Sequence, residues 1–208
     1  ETAICKCFER ISGYKNTGII FDLDTHRLVL EFETVNGSLQ KFAMDEMSDG
    51  YKNTLSMIGD IAYRMAVLNP VLGEKVLEET PGVILIDEID LHLHPQWQQT
   101  IISDLNAIFP NIQFIVSSHA PEVINSVAKE QIRILDNGKI YMPAAQTYGR
   151  DANSILREVM NVSERPVDIT ERLNVFYVYM DNKEYKKADK VLSEIEDIVG
   201  TTDPDIAS

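Results

Sequence analysis

The sequence predicts an α/β domain on a parallel sheet, opened by an antiparallel β meander and followed by an α-helical hairpin. Three observations predict it. First, Val83 to Ile86 is a run of four apolar residues that ends at once in two carboxylates, Asp87 and Glu88. That is how a fully buried parallel strand delivers acids to the carboxyl edge of a sheet. Second, a helical pattern follows, with Pro95 suited to its first turn and Trp97, Ile101, Leu105 and Ile108 as its buried stripe; then a second apolar run, Ile112 to Val116, closes in Ser117-Ser118-His119. Strand, helix of about 15 residues and strand make a βαβ unit with parallel strands and a right-handed crossover. Third, the β-rich runs Ile19 to Leu23, Arg27 to Glu33 and Leu39 to Phe42 alternate with turn signals at Asp24-Thr25 and Asn36-Gly37, which reads as a meander.

The remaining elements follow from period and punctuation. Leu55, Ile58, Ala62 and Met65 recur at helical spacing, starting just after Met47-Ser48-Asp49-Gly50 and stopping at Asn69-Pro70. Ile132 to Leu135 and Lys139 to Met142 predict a hairpin turning at Asp136-Asn137-Gly138. Composition shifts near Pro143, dividing the chain into residues 1–146 and a helical accessory segment, 147–208. Within it, Tyr148-Gly149-Arg150-Asp151 leads into a helix capped by Asp151, with Ile155, Leu156 and Val159 on one face. Helical patterns over Ile169 to Met180 and Tyr185 to Val199, separated by Asp181-Asn182, make an αα-hairpin similar to one tetratricopeptide-type unit. A lone unit buries its own face poorly, so it is expected to dock on the preceding domain or on a partner.

A length of 208 residues accommodates one sizeable core plus a small appendage, and a first residue of Glu suggests part of a longer polypeptide. With 33 acidic and 19 basic residues the formal charge is -14, which opposes spreading on phosphate backbones, so any nucleic acid is expected to be held by the wider complex. Cys5 and Cys7 stand alone as C-x-C; that is a weak metal signal without a second pair, and no disulfide framework exists, so a reducing cytoplasm is the expected compartment. No apolar run approaches the roughly 20 residues needed to span a bilayer, so no membrane association is expected.

Phosphoryl transfer to water needs a metal to neutralise the phosphates, a carboxylate to orient or deprotonate the attacking water, and donors for charge on the transferred group. Asp87 and Glu88 supply the first two if one faces Mg²⁺ and the other the water, although acids also end strands for no catalytic reason. His119, directly after the next strand, could donate a hydrogen bond to a terminal phosphate or position the water. Ser48 and Gly50 stand at a helix start, where free amides and the helix dipole make an anion site; on this motif alone an ordinary N-cap is the simpler reading. His92 and His94 with His119 could suggest zinc, yet they lack helical spacing and an intervening Glu, so structural or interfacial roles are expected. Trp97 is expected in helix core.

In this order and spacing the motifs resemble the C-terminal half of an ABC-type P-loop ATPase domain. Met47-Ser48-Asp49-Gly50-Tyr51 resembles the signature loop, Val83 to Glu88 the Walker B strand with its catalytic glutamate, Asp90 to His94 the D-loop, and Ser118-His119 the switch histidine. The resemblance covers about residues 45–140. Asp49 and Tyr51 depart from the transporter signature, and Ile89 replaces the usual Pro, which points to the soluble RecF-, SMC- and OLD-like branch. Met47 to Asn53, Ile86 to Pro95 and Tyr148 to Leu156 are similar to the ATPase subunit of Septu-type anti-phage systems, PtuA-like and also retron-associated.

That resemblance implies a chain that binds and hydrolyses ATP with Mg²⁺ and regulates a partner HNH nuclease subunit, beside a retron reverse transcriptase and its msDNA in some systems. It implies self-association as an ATP-sandwich dimer or higher oligomer, with Ser48, Asp49 and Gly50 of one protomer facing the nucleotide held by Asp87, Glu88 and His119 of another. Asp87 would hold Mg²⁺ through water, and Glu88 and His119 would be catalytic. No G-x-x-x-x-G-K-[ST] occurs in the 208 residues; the Gly-Tyr-Lys-Asn-Thr segments at Gly13 and Gly50 lack its spacing, so the P-loop is expected upstream and this segment alone is expected to be inactive. No acidic nuclease cluster follows, which assigns cleavage to another chain. The alternatives are a nucleotide-holding scaffold with little turnover and a RecF- or SMC-like DNA maintenance ATPase.

Overall fold

Ahead of the predicted meander stands an additional helix, α1 (Thr2–Ser12), which buries Ala3, Cys7 and Phe8 and ends at Gly13 in the left-handed region, φ 75°. The computed structural model describes residues 1–163, 165–201 and 203, in two compact units, Glu1–Ala152 and Asn153–Ser208. The last five residues of the predicted accessory segment lie outside the described residues. Strands β1 (Lys15–Asp22), β2 (Arg27–Glu33) and β3 (Leu39–Ala43) pair antiparallel in that order, as the turn signals predict. Leu30 on β2 lies between Ile19 and Phe42 in register, and Phe32 stacks on Tyr14 at 4.6 Å between centroids.

Helix α2 (Asp49–Leu68) buries Leu55, Ile58, Ile61 and Met65, whereas Ala62 is only half-buried. After α3 (Val76–Glu79), strand β4 (Gly82–Ile86) leads through α4 (Pro95–Gln98) and α5 (Ile101–Ile108) to β5 (Ile112–Val116), which pairs parallel with β4. Helix α6 (Pro121–Ile124) and the hairpin β6 (Ile134–Asp136) and β7 (Lys139–Tyr141) complete the unit. The hairpin turns on Asn137 and Gly138, both at positive φ, as a two-residue primed turn requires.

Two expectations need correction. Strand β4 is not fully buried: Val83 is 56% and Leu85 75% exposed, because β4 and β5 form a two-stranded sheet among the described residues. On one face Ile112 is part of the core and Ile84, Ile86, Phe114 and Val116 pack against it. The single helix after Pro95 is also broken. The Thr100 amide bonds back to the Trp97 carbonyl at 3.1 Å and Thr100 sits at φ -112°, so α5 restarts with Asp104 bonding to the Thr100 carbonyl. Ile101, Leu105 and Ile108 are each at most 1% exposed and keep the predicted stripe, while Trp97 is half-buried against Tyr51 instead of sitting in that core.

Helices α1 and α5 are joined by an ion pair: Arg10 Nε donates to Asp104 Oδ1 at 2.5 Å, and Asp104 is 4% exposed with Oδ2 unpartnered among the described residues. Removing the cation strands a buried carboxylate. Arg10→Met is expected to lower stability by about 2 kcal/mol, a value reduced because Arg10 is itself partly exposed, and Asp104→Leu in the same chain to recover most of it; urea unfolding of the three forms checks this.

Both cysteines are free and face the core from α1, and burial, with the Asp104 carboxylate second, pushes the Cys7 thiol up to about 12. Cys5 is raised too, first by burial. The thiols therefore stay protonated at pH 8 and are expected to resist a disulfide reagent until the chain is unfolded. A folded value above the unfolded one of about 8.5 means that the Cys7 contribution is intact below pH 8.5 and is lost as pH rises towards 12. Stability measured from pH 7 to 11 should fall at the alkaline end, and less so in Cys7→Ala.

Helix α7 (Ala152–Glu158) starts directly after Asp151, with all but its first residue in the second unit, and buries Ile155. Helices α8 (Val167–Asp181) and α9 (Tyr185–Val199) form the predicted αα-hairpin around Ile169, Leu173 and Ile195. Arg165 grips Asp203 with two bonds of 2.9 and 2.8 Å. The hairpin nevertheless leaves Tyr177, Val178, Tyr185 and Ile198 exposed. Among the described residues no helix is long and apolar enough to cross a membrane.

Candidate active site

The parallel register sets the site. Ile86 lies opposite Val116, so Asp87-Glu88 and Ser117-Ser118-His119 leave the sheet at the same carboxyl edge. Ser117 stitches the two exits together. Its amide donates to the Ile86 carbonyl at 3.0 Å, and its carbonyl accepts from the Ile89 amide at 3.0 Å. Its hydroxyl donates to Asp87 Oδ1 and accepts from the Glu88 amide at 2.8 Å. Glu88 takes φ 51°, a left-handed conformation that costs a non-glycine residue about 1 kcal/mol, so these bonds hold a turn that residue type alone disfavours. Asp87, Glu88 and His119 are all exposed.

The following loop is pinned from both sides. Ile89 is 4% exposed and plugs the core. Amides of Leu91 and Leu93 bond to the Glu88 and Asp90 carbonyls at 2.9 and 3.1 Å, with His92 at φ 63°. Gln98 Nε2 donates to the Asp90 and Leu93 carbonyls, each at 3.2 Å. Asp90 Oδ1 accepts from the His119 amide at 3.3 Å, which fixes the backbone that carries the imidazole. The imidazole itself has no hydrogen-bond partner among the described residues.

Ser48 occupies the N-cap position of α2, and its carbonyl accepts from Lys52 at 3.1 Å. Its hydroxyl makes no capping bond, so the side chain does not serve the simple cap. Asp49 is exposed in the first turn, and Gly50 is buried. A Cβ at Gly50 would lie 2.7 Å from the His92 carbonyl oxygen and 3.2 Å from the Trp97 ring, so the serine loop and the loop after Glu88 are in backbone contact. Tyr51 meets Trp97 edge-on at 4.2 Å. Ser48, Gly50, His92, His94 and Trp97 line a cavity of about 630 Å³ that Asp87, Glu88 and His119 do not line. One chain therefore presents the acids and the serine loop at separate places, linked through residues 88–94.

His94 caps α4, its Nδ1 accepting from the Gln96 amide at 3.3 Å, a structural role. Among the described residues no group of three or more His, Cys, Asp or Glu is placed to hold a metal. Mg²⁺ asks for less: one or two hard carboxylate oxygens, with water and substrate phosphates supplying the rest. Asp87 fits, since Ser117 occupies one oxygen and leaves the other without a hydrogen-bond partner among the described residues. From the sequence Asp90 entered only as the start of the Asp90 to His94 stretch, Ser117 only as the end of a strand, and Gln98 not at all. A hydroxyl directly after a short apolar strand was the available signal for Ser117; nothing local marks Gln98.

The parallel strand pair thus delivers two exposed acids and a histidine to one edge of an α/β unit, and the helix that starts after Ser48 carries a serine hydroxyl that makes no capping bond. Residues 7–125, more than half of the chain, match the family described as "AAA domain, putative AbiEii toxin, Type IV TA system", and the chain belongs to that family. It is 41% identical over 142 residues, 66% of its length, to "Retron Vc95 probable ATPase" of Vibrio cholerae serotype O1 biovar El Tor. It is 42% identical over 121 residues, 58% of its length, to "Retron Ec83 probable ATPase" of Escherichia coli. To "Septu protein PtuA" of Bacillus thuringiensis it is 28% identical over 173 residues, 79% of its length. The matches span 27%, 22% and 42% of those proteins. The likeness to Septu and retron ATPases read from the motifs is thus a likeness of the chain at large.

Proposed function

We propose that the full-length protein binds ATP with Mg²⁺ between two copies, hydrolyses it, and thereby controls a partner HNH nuclease in an anti-phage defence complex. The observation that carries the reading is the Ser117-held acid pair on the same sheet edge as His119. Glu88 orients the attacking water and takes its proton, and His119 donates to the terminal phosphate. Mg²⁺, held through Asp87, would neutralise phosphate charge. The free Ser48 hydroxyl and the first amides of α2, at Asp49 and Gly50, receive the phosphates of the nucleotide held by the other copy.

Nucleotide occupancy then biases the assembly between two states, and the exposed apolar residues of α8 and α9 recruit the nuclease. Nucleic acid, including any msDNA with its reverse transcriptase, is held through the complex, in keeping with the charge of -14.

The test is phosphate release from Mg–ATP by the full-length protein, with and without the neighbouring nuclease subunit, and co-purification of that subunit. Turnover and co-purification, the latter lost on deleting residues 148–208, are expected. Binding without turnover would replace the reading by a nucleotide-holding scaffold, and turnover raised by DNA alone by a DNA maintenance ATPase.

A further inference from the structure

We propose that Ser117 is a positioning residue for hydrolysis, its hydroxyl setting Asp87 and Glu88 in one fixed relation. The inference rests on the ATPase reading above. A hydroxyl carries one donor and two acceptor sites, and here the donor goes to the Asp87 carboxylate while an acceptor takes the Glu88 amide. The two acids are consecutive, so one atom fixes the side chain of the first and the backbone of the second.

The arrangement is needed because the ladder ends here. β4 and β5 pair in register up to Ile86 and Val116, and the Ser117 amide extends that pattern by one bond to the Ile86 carbonyl. Beyond it Glu88 turns into the left-handed region, where its amide has no strand to bond to. The Ser117 hydroxyl replaces the missing ladder partner, and the Ser117 carbonyl catches the next amide, that of Ile89. Asp87 and Glu88 are exposed, so no packing would otherwise restrain them. Without the hydroxyl Asp87 is free to rotate, and the φ of Glu88 loses the bond that holds it. Ser117 is also exposed, so removing its oxygen opens no core cavity.

Four forms of the full-length protein test this: wild type, Ser117→Ala, Ser117→Thr and Glu88→Gln. The readouts are kcat and KM for ATP, the thermal midpoint, and amide hydrogen exchange at residues 88 and 89. Ser117→Ala is expected to lower kcat about 10- to 100-fold with KM within about twofold, and to speed exchange at the Glu88 amide while the midpoint holds. Ser117→Thr keeps the hydroxyl and suits a strand end, so it should restore both kcat and protection. Wild-type kcat in Ser117→Ala beside a slow Glu88→Gln would overturn the inference and leave the ATPase reading standing. A fall in kcat with a lowered midpoint and no rescue by threonine would also overturn it, as a merely structural role. An inactive wild type, or unchanged turnover in Glu88→Gln, would remove the reading and this inference together.

Discussion

Glu88→Gln in the full-length protein is expected to bind ATP as the wild type does and to hydrolyse it at least about 100-fold more slowly. Glutamine keeps the size of the side chain and the amide that donates to Ser117, so the left-handed turn and the bonds around it are retained. Only the basic oxygen is lost. Because residue 88 is exposed, stability should stay within about 0.5 kcal/mol of wild type. Binding energy from the phosphates is untouched, so the loss falls on kcat and ATP-bound oligomer accumulates, visible by light scattering. Turnover at the wild-type rate would contradict the role of Glu88 and remove the reading built on the acid pair.

Gly50→Val should damage both fold and activity. The added Cβ would stand 2.7 Å from the His92 carbonyl oxygen, which is backbone, and the His92 loop is pinned by Gln98 and by the buried Ile89. Overpacking of this kind costs about 1–3 kcal/mol, and any relief must move residues 88–94, which begin with Glu88. Gly59→Ala on the same helix is the control. Its Cβ would meet only the flexible end of Ile4, at 3.2 Å, and removing a mid-helix glycine stabilises by up to about 1 kcal/mol. Thermal midpoints should therefore move in opposite directions or differ widely, and only Gly50→Val should lose phosphate release.

The βαβ unit was legible because Val83 to Ile86 and Ile112 to Val116 are short apolar runs with a helical period between them. Its sidedness was not. Four apolar residues in a row suit either one or two covered faces, and which applies depends on what packs across Val83 and Leu85. Helix α1 escaped notice because its N-cap residue, Glu1, makes no side-chain cap and its buried positions include two cysteines that read first as possible ligands. The break at Thr100 carries no Gly or Pro to announce it. At the site the acids, the histidine and the serine loop could be read as residue types. Their coupling could not, since φ 51° at Glu88 is a conformation that glutamate does not advertise, and the Gly50–His92 approach joins residues 42 positions apart.

In the proposed assembly two copies share each site, acids from one and the serine loop from the other. Full-length Glu88→Gln and full-length Ser48→Arg, each expected to be inactive alone, are mixed and phosphate release is measured. Random pairing makes half the dimers mixed, and each mixed dimer holds one intact site of two, so the mixture should recover about a quarter of the wild-type phosphate release. A mixture no faster than its two components would contradict the shared site.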